Sequence, residues 1–300
     1  MAIQNSLQKS KGNQRLGITA YLTGDAVKNQ INQVVGGKNG QRFISAIVSA
    51  VNTNPTLQEC TNQSILSGAL LGESLKLSPS PQLGHYYLVP FNDKNKGKVA
   101  QFQMGYKGYI QLAIRSGQYK KINVIAVKEG ELEYFDPLNE EIKINMMIDK
   151  WDEREAAPTI GYYAMFELVN GFRKAIYWSK AQMEAHALKY SPGYKKDRRD
   201  GSNHTFWSKD FDGMAYKTML RQLISKWGIM SIDMQSAIDA DMAVINEDGS
   251  KDYVDNDDSI IDAEPQQSEE PQPEPRQEAE KKPETTQQPT DAQMALFGNK

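Results

Sequence analysis

The stretch Gln101-Phe-Gln-Met-Gly-Tyr-Lys-Gly-Tyr-Ile-Gln-Leu-Ala-Ile-Arg-Ser-Gly-Gln-Tyr-Lys-Lys121 decides the fold class. Over Lys98–Met104, Ala100, Phe102 and Met104 alternate with Val99, Gln101 and Gln103, the period of a strand. Tyr106, Tyr109, Ile110, Ala113 and Ile114 then fall at i, i+3, i+4, i+7 and i+8, which predicts a helix with a buried stripe. Gly117 stops it, and Tyr119–Lys128 returns to aromatic and β-branched residues. Strand, helix and strand within one short segment point to an α+β domain.

Working outward, Gln41–Asn52 has helical spacing at Phe43, Ile44, Ile47, Val48 and Val51, and Thr61 can cap a second helix reaching about Leu77. Ser78-Pro79-Ser80-Pro81 ends that helix, because proline cannot continue it. His85–Phe91, Glu131–Phe135 and Thr159–Val169 read as strands. Asn170-Gly171 supplies a tight hairpin turn into a return strand, Phe172–Trp178. Ser179 with Gln182 forms a capping box that starts a helix. Tyr190–Asn203 reads as a loop, Phe206–Trp227 as one long helix and Asp233–Val244 as a last amphipathic one. The expected body is a mostly antiparallel sheet flanked by helices. It spans residues 21–245, after a flexible N-terminus at 1–20.

Charge is distributed unevenly. Lys and Arg outnumber Asp and Glu by 30 to 20 up to residue 230, whereas 5 face 18 beyond it. A basic body suits a polyanion, and the acidic remainder suits a solvated or partner-hooking tail. Residues 246–300, rich in Asp, Glu, Pro and Gln with only Tyr253 and Phe297 as aromatics, have the composition of a disordered segment. No run of about 18 apolar residues suggests a membrane span, and Met1–Gly17 lacks an apolar signal core. A single cysteine, Cys60, rules out an internal disulfide. The expected location is the cytoplasm.

Several chemistries are excluded. Gly36-Gly37-Lys38 lacks the glycine spacing and the Ser/Thr of an ATP-binding phosphate loop. His85, His186 and His204 are scattered with one cysteine for company, so no zinc site is expected. Asp136 with Glu141-x-Lys143 has too short an acid-to-acid gap for a metal nuclease and reads better as strand ends around a Pro137 turn. No catalytic cluster and no cofactor are expected; a protein of this kind acts by binding.

The binding candidates lie in the basic body. Lys107, Gln111 and Arg115 step by four along the polar face of the helix that carries Tyr106–Ile114, followed by Lys120 and Lys121. Gly105 and Gly108 would expose amides near the helix start, a setting that favours phosphate. In Trp207-Ser-Lys-Asp-Phe-Asp-Gly-Met-Ala-Tyr-Lys-Thr-Met-Leu-Arg-Gln-Leu-Ile-Ser-Lys-Trp-Gly228, Lys217 and Arg221 form a like-charged i, i+4 pair beside an apolar stripe, a repulsion that an intervening phosphate would offset. Lys195, Lys196, Arg198 and Arg199 are interleaved with Tyr194, Phe206 and Trp207, the mix that single-strand binders use. Lys209 and the hairpin cations Arg173 and Lys174 complete the set. The same patterns also fit solvated faces and a plain loop, and residue types alone leave both readings open.

Gln103-x-Gly105-Tyr-Lys-Gly108 through Arg115-x-Gly117-Gln-Tyr119, then Trp207, Met214-Ala-x-Lys217-Thr-x-x-Arg221 and Ser231-Ile-Asp-Met234, resemble the RecT family of phage and prophage single-strand annealing proteins. The resemblance covers about residues 41–241. It implies ATP-independent annealing in homologous recombination, binding of single-stranded DNA and of the annealed duplex, and homo-oligomers, as rings or helical filaments. It also implies the fold of the wider annealase superfamily, a bacterial host cytoplasm, and a long basic groove to which Lys107, Arg115, Lys217 and Arg221 would belong. The alternative is a non-annealing nucleic-acid-binding replication accessory protein. Near the end, Gln293-Met-Ala-Leu-Phe297 resembles the pentapeptide by which bacterial proteins dock on the replication sliding clamp, with Gln293, Leu296 and Phe297 as its contacts. Chance in a low-complexity tail is the competing reading.

Overall fold

A computed structural model describes residues 16–93 and 95–253. The chain opens with α1 (Ile18–Thr23), α2 (Asp25–Val35) and α3 (Gly37–Thr53), then a 3-10 turn at Pro55–Glu59 and α4 (Asn62–Ser74). Next come β1 (Tyr86–Asp93), β2 (Gly97–Met104), α5 (Tyr106–Arg115), β3 (Tyr119–Lys128), β4 (Leu132–Asp136) and β5 (Glu141–Ile144). They are followed by α6 (Trp151–Ala156), β6 (Thr159–Leu168), β7 (Arg173–Ser179), α7 (Lys180–Tyr190) and α8 (Pro192–Asp200). The last elements are α9 (Phe206–Lys209), α10 (Phe211–Trp227), α11 (Ile232–Ala240), β8 (Ala243–Ile245) and β9 (Lys251–Tyr253). The fold is α+β.

All strand pairs are antiparallel. One sheet runs β1-β2-β8-β9, a second β3-β6-β7, and β4 with β5 forms a separate hairpin. Helix α4 lies over β1, β2 and β8, while α10 lies over β6, β3 and β7. Between them α5 touches α10, α11 and β3, so it stands where the two sheets meet. One apolar cluster joins Ile47, Leu66, Tyr86, Phe102, Tyr109, Phe166 and Leu223 through both sheets.

Local signals in the sequence place many of these elements. Thr61 accepts from the Ser64 amide at the start of α4, and Ser179 with Gln182 makes the reciprocal capping box of α7. Gly171 adopts φ +88° in the β6–β7 turn, a region that glycine enters without strain. Asp136 accepts from the amides of Leu138 (2.8 Å) and Asn139 (3.3 Å) and from Asn139 Nδ2 (2.7 Å). It is therefore a turn carboxylate between β4 and β5, as the Pro137 reading expects.

Other expectations are corrected. Residues 190–203 are not a loop: α8 fills most of them. The buried Asp197 carboxylate accepts from Ser202 Oγ (2.8 Å), Thr205 N (2.8 Å), Thr205 Oγ1 (2.8 Å) and Ser208 Oγ (2.6 Å). It ties α8 to α9, and those hydrogen bonds hold its carboxyl below the usual carboxylate range against the opposing effect of burial. The expected helix Phe206–Trp227 breaks at Asp210, whose side chain caps α10 through the Gly213 amide (2.9 Å). The last helix ends at Ala240, and paired backbone continues through β8 and β9 to Tyr253, past Asn246. On α5, Leu112 is buried, whereas Ile114 is 56% exposed. Among the described residues no helix is long and apolar enough to cross a membrane.

Candidate nucleic-acid interface

Helix α5 presents Lys107, Gln111 and Arg115 to solvent along one face, opposite Tyr109, Leu112 and Ala113 in the core. The glycines at its start serve packing rather than amide exposure. Gly105 donates to the His85 carbonyl (2.9 Å), and a Cβ on Gly105 or Gly108 would stand 2.1 Å from the Gly84 or His85 carbonyl oxygen. Both are buried against the segment that leads into β1. That close approach brings His85 beside the α5 cations. Burial, then the charges of Arg115 and Lys107, push its imidazole below the ordinary histidine range.

Arg115 is already engaged. Its guanidinium donates to the carbonyls of Leu75 (2.7 Å) and Lys76 (3.0 Å), closing the end of α4, and meets Asp233 at 3.3 Å. Lys107 makes no ion pair among the described residues and is the least committed cation of this group.

The sheet unites two groups that stand apart in sequence. In the β3-β6-β7 register Lys121 faces Glu167, and Glu167 faces Arg173. Directly opposed residues share a face, so Lys121, Glu167 and Arg173 form one row. Lys120 reaches Glu167 at 2.5 Å and Lys121 at 3.7 Å. The Lys120 hydrogen bond holds Glu167 below the usual carboxylate range. Two lysines thus pair with one carboxylate and Arg173 lies across from it in register, leaving net positive charge. Lys174 turns to the other face, where its ammonium lies 4.4 Å from the centre of the Trp227 ring and pairs with Glu140.

The pair on α10 is placed differently from the sequence expectation. Lys217 is buried and bonds Asp241 at 2.8 Å. Arg221, half-exposed, meets the same carboxylate at 3.4 Å. Asp241 also accepts from Met104 N (2.9 Å) and Tyr109 Oη (3.1 Å). The anion between the two cations is therefore a protein carboxylate, which ties α10, α5, β2 and the end of α11 together. Two cations against one anion leave a positive charge, and Arg221 is the one that reaches solvent.

On α8, Lys195, Lys196, Arg198 and Arg199 are exposed; Arg198 pairs with Glu184 (3.2 Å) and Arg199 with Asp200 (2.8 Å). Lys209, at the end of α9, is half-buried. Tyr194 and Trp207, read as aromatics near this loop, are core residues. Gln293, Leu296 and Phe297 lie outside the described residues. Sequence reasoning missed Asp241, which no local pattern marks. It also missed the ring series Trp178, His186 and Tyr190, for which the i, i+4 spacing of the last two was the available signal.

A chain with cations gathered on α5, on one sheet face and on α8 has the surface of a polyanion binder. The sequence profile of the RecT family matches residues 41–260, from α3 past the last described strand. The chain belongs to the RecT family. It is 40% identical over 279 residues to the uncharacterized protein YqaK of Bacillus subtilis (strain 168), covering 90% of this chain and 89% of that one. It is also 28% identical over 246 residues to Protein RecT of Escherichia coli (strain K12), covering 78% and 86% respectively. Membership of the RecT family supports a DNA-binding role in recombination by single-strand annealing.

Proposed function

We propose that this RecT-family chain binds single-stranded DNA and anneals complementary strands without nucleotide hydrolysis. The observation that carries the reading is the set of cations held outside the core, with Lys107, Lys120, Lys121 and Arg173 displayed by rigid helix and sheet. Contacts of this kind go to phosphates, so binding depends little on base sequence and strongly on salt. Annealing needs one strand held extended while a second samples register. One small domain cannot do this over many bases, so the working unit is an oligomer, as rings or filaments on DNA. The protein acts by binding, in the cytoplasm of a bacterial host. The test mixes two complementary labelled oligonucleotides with protein and no nucleotide, while light scattering follows particle size. Pairing faster than the protein-free control, with assemblies that grow on complementary strands, is expected. Binding without acceleration would make the chain a replication accessory protein instead.

The tail supplies the partner. Gln293, Leu296 and Phe297 dock on the bacterial sliding clamp, the two apolar side chains filling a pocket and Gln293 hydrogen-bonding at its rim. The tether then raises the local concentration of annealing protein where template strands are exposed. Purified clamp should retain the full chain and release the Leu296→Ala, Phe297→Ala variant. Equal retention of both, or of neither, would remove this partner.

A further inference from the structure

Strand β7 runs directly into α7, and three rings line up across that junction. Trp178 lies 5.4 Å from His186, ring centre to ring centre, and His186 lies 4.6 Å from Tyr190. The i, i+4 spacing of His186 and Tyr190 places both on one side of α7. The series grades outward, from half-buried Trp178 at the edge of the core to Tyr190, which is 61% exposed. The core needs Trp178, but it makes no use of the Tyr190 ring.

Cations flank the series. The Lys189 ammonium lies 5.1 Å from the centre of the Tyr190 ring. Burial, then the charges of Arg221 and Lys189, push the His186 imidazole below the ordinary histidine range. His186 is therefore neutral near pH 7 and offers a flat ring rather than another charge. Arg221 is also the cation that reaches solvent from the Asp241 network.

We propose that Tyr190 and His186, backed by Trp178, form a stacking platform for the bases of single-stranded DNA, with Lys189 and Arg221 meeting the adjoining phosphates. The proposal rests on the DNA-binding reading and adds a contact of a different kind. Every base has a π-face, so stacking tolerates any sequence, and aromatic rings beside cations are what such sites require. A phosphate-only surface would not distinguish a strand with bases from one without.

That difference is the test. Affinity is measured by fluorescence anisotropy for a mixed-sequence strand and for an abasic strand with the same number of phosphates. Tyr190→Ala should weaken binding to the base-bearing strand about ten-fold, the loss typical of one stacked base. It should leave the abasic strand unaffected, and Tyr190→Phe should restore wild-type affinity. Wild-type affinity in Tyr190→Ala, or an equal loss on both strands, would overturn the platform while leaving phosphate binding in place. A wild-type protein that binds neither strand would overturn the DNA-binding reading itself.

Discussion

Replacing Asp241 by Asn removes one charge and little volume from the centre of the molecule. The wild-type carboxylate is fully buried and accepts from Met104 N, Tyr109 Oη, Lys217 and Arg221. The Lys217 side chain is only 8% exposed and has no other ion pair among the described residues. An amide keeps one acceptor oxygen, which stays toward Lys217 and Met104 N, and puts a donor where Tyr109 Oη and Arg221 now donate, so Lys217 becomes a buried charge without a counterion. Breaking a buried pair from one side costs about 3–5 kcal/mol, a large part of the roughly 5–15 kcal/mol that holds a domain folded. Lys217→Met leaves Asp241 with Arg221, Met104 and Tyr109, and should cost about 1–3 kcal/mol. The double variant removes the stranded ammonium, so its cost should fall short of the sum by about 1–3 kcal/mol. Urea unfolding of the four proteins, with unchanged m-values, measures this. An Asp241→Asn variant within about 0.5 kcal/mol of wild type, or strictly additive singles, would refute the buried-network account. The same proteins test the DNA role of Lys217. If its ammonium stays on Asp241, Lys217→Met leaves the log–log salt slope of DNA binding unchanged, whereas a phosphate contact would take away about 0.7.

Lys107→Ala should leave stability within about 0.5 kcal/mol and reduce that salt slope by about 0.7, because Lys107 has no carboxylate partner among the described residues and its helix face is exposed. Gly105→Ala and Gly108→Ala should each cost about 1–3 kcal/mol or more in thermal or urea unfolding, since the new methyl meets a backbone carbonyl that cannot move aside; a cost near zero would contradict the close packing of α5. His85 and His186 are both lowered from 6.5 in the native state, so the unfolded chain takes up their protons at higher pH. Stability from these groups is therefore complete above about pH 6.5 and falls as pH drops through the lowered native values. Thermal melting should show that decline, and His186→Gln should make it shallower.

What was legible in the sequence was what neighbours in sequence determine. Helix α5, the Asn170-Gly171 turn, the Ser179–Gln182 capping box and the β4–β5 turn each depend on residues a few positions apart, and the structure has them where the pattern puts them. Helix α8 has local start and stop signals, the Ser191 cap before Pro192 and Gly201 in the left-handed region, but its charge-rich residues lack an apolar stripe and its anchor, Asp197, finds its partners from Ser202 onward. The burial of Lys217 was hidden for the same reason: on its own helix it is a cation beside a stripe, and only the chain's return at Asp241 makes its burial affordable. Of the candidate surface, the α5 face was readable as a face. The row Lys121, Glu167 and Arg173 was not, since strand register across β3, β6 and β7 joins residues distant in sequence.

That row carries a consequence for how the protein responds to its surroundings. Glu167 is fixed in the middle strand and holds Lys120 and Lys121 in the free state. It behaves as a tethered counterion. When a phosphate reaches a bare lysine, a bound salt ion leaves for bulk solution, and its entropy of mixing drives binding; added salt reverses this. A glutamate in a strand cannot leave. On the proposed DNA-binding reading, lysines that turn from Glu167 to a phosphate exchange one anion for another and release little, so this face would contribute less affinity in dilute buffer but also surrender less as ionic strength rises. Lys107 and the sheet row would then divide the work, one setting how strongly DNA is drawn in at low salt and the other how much of it is retained at the salt concentration of a cell.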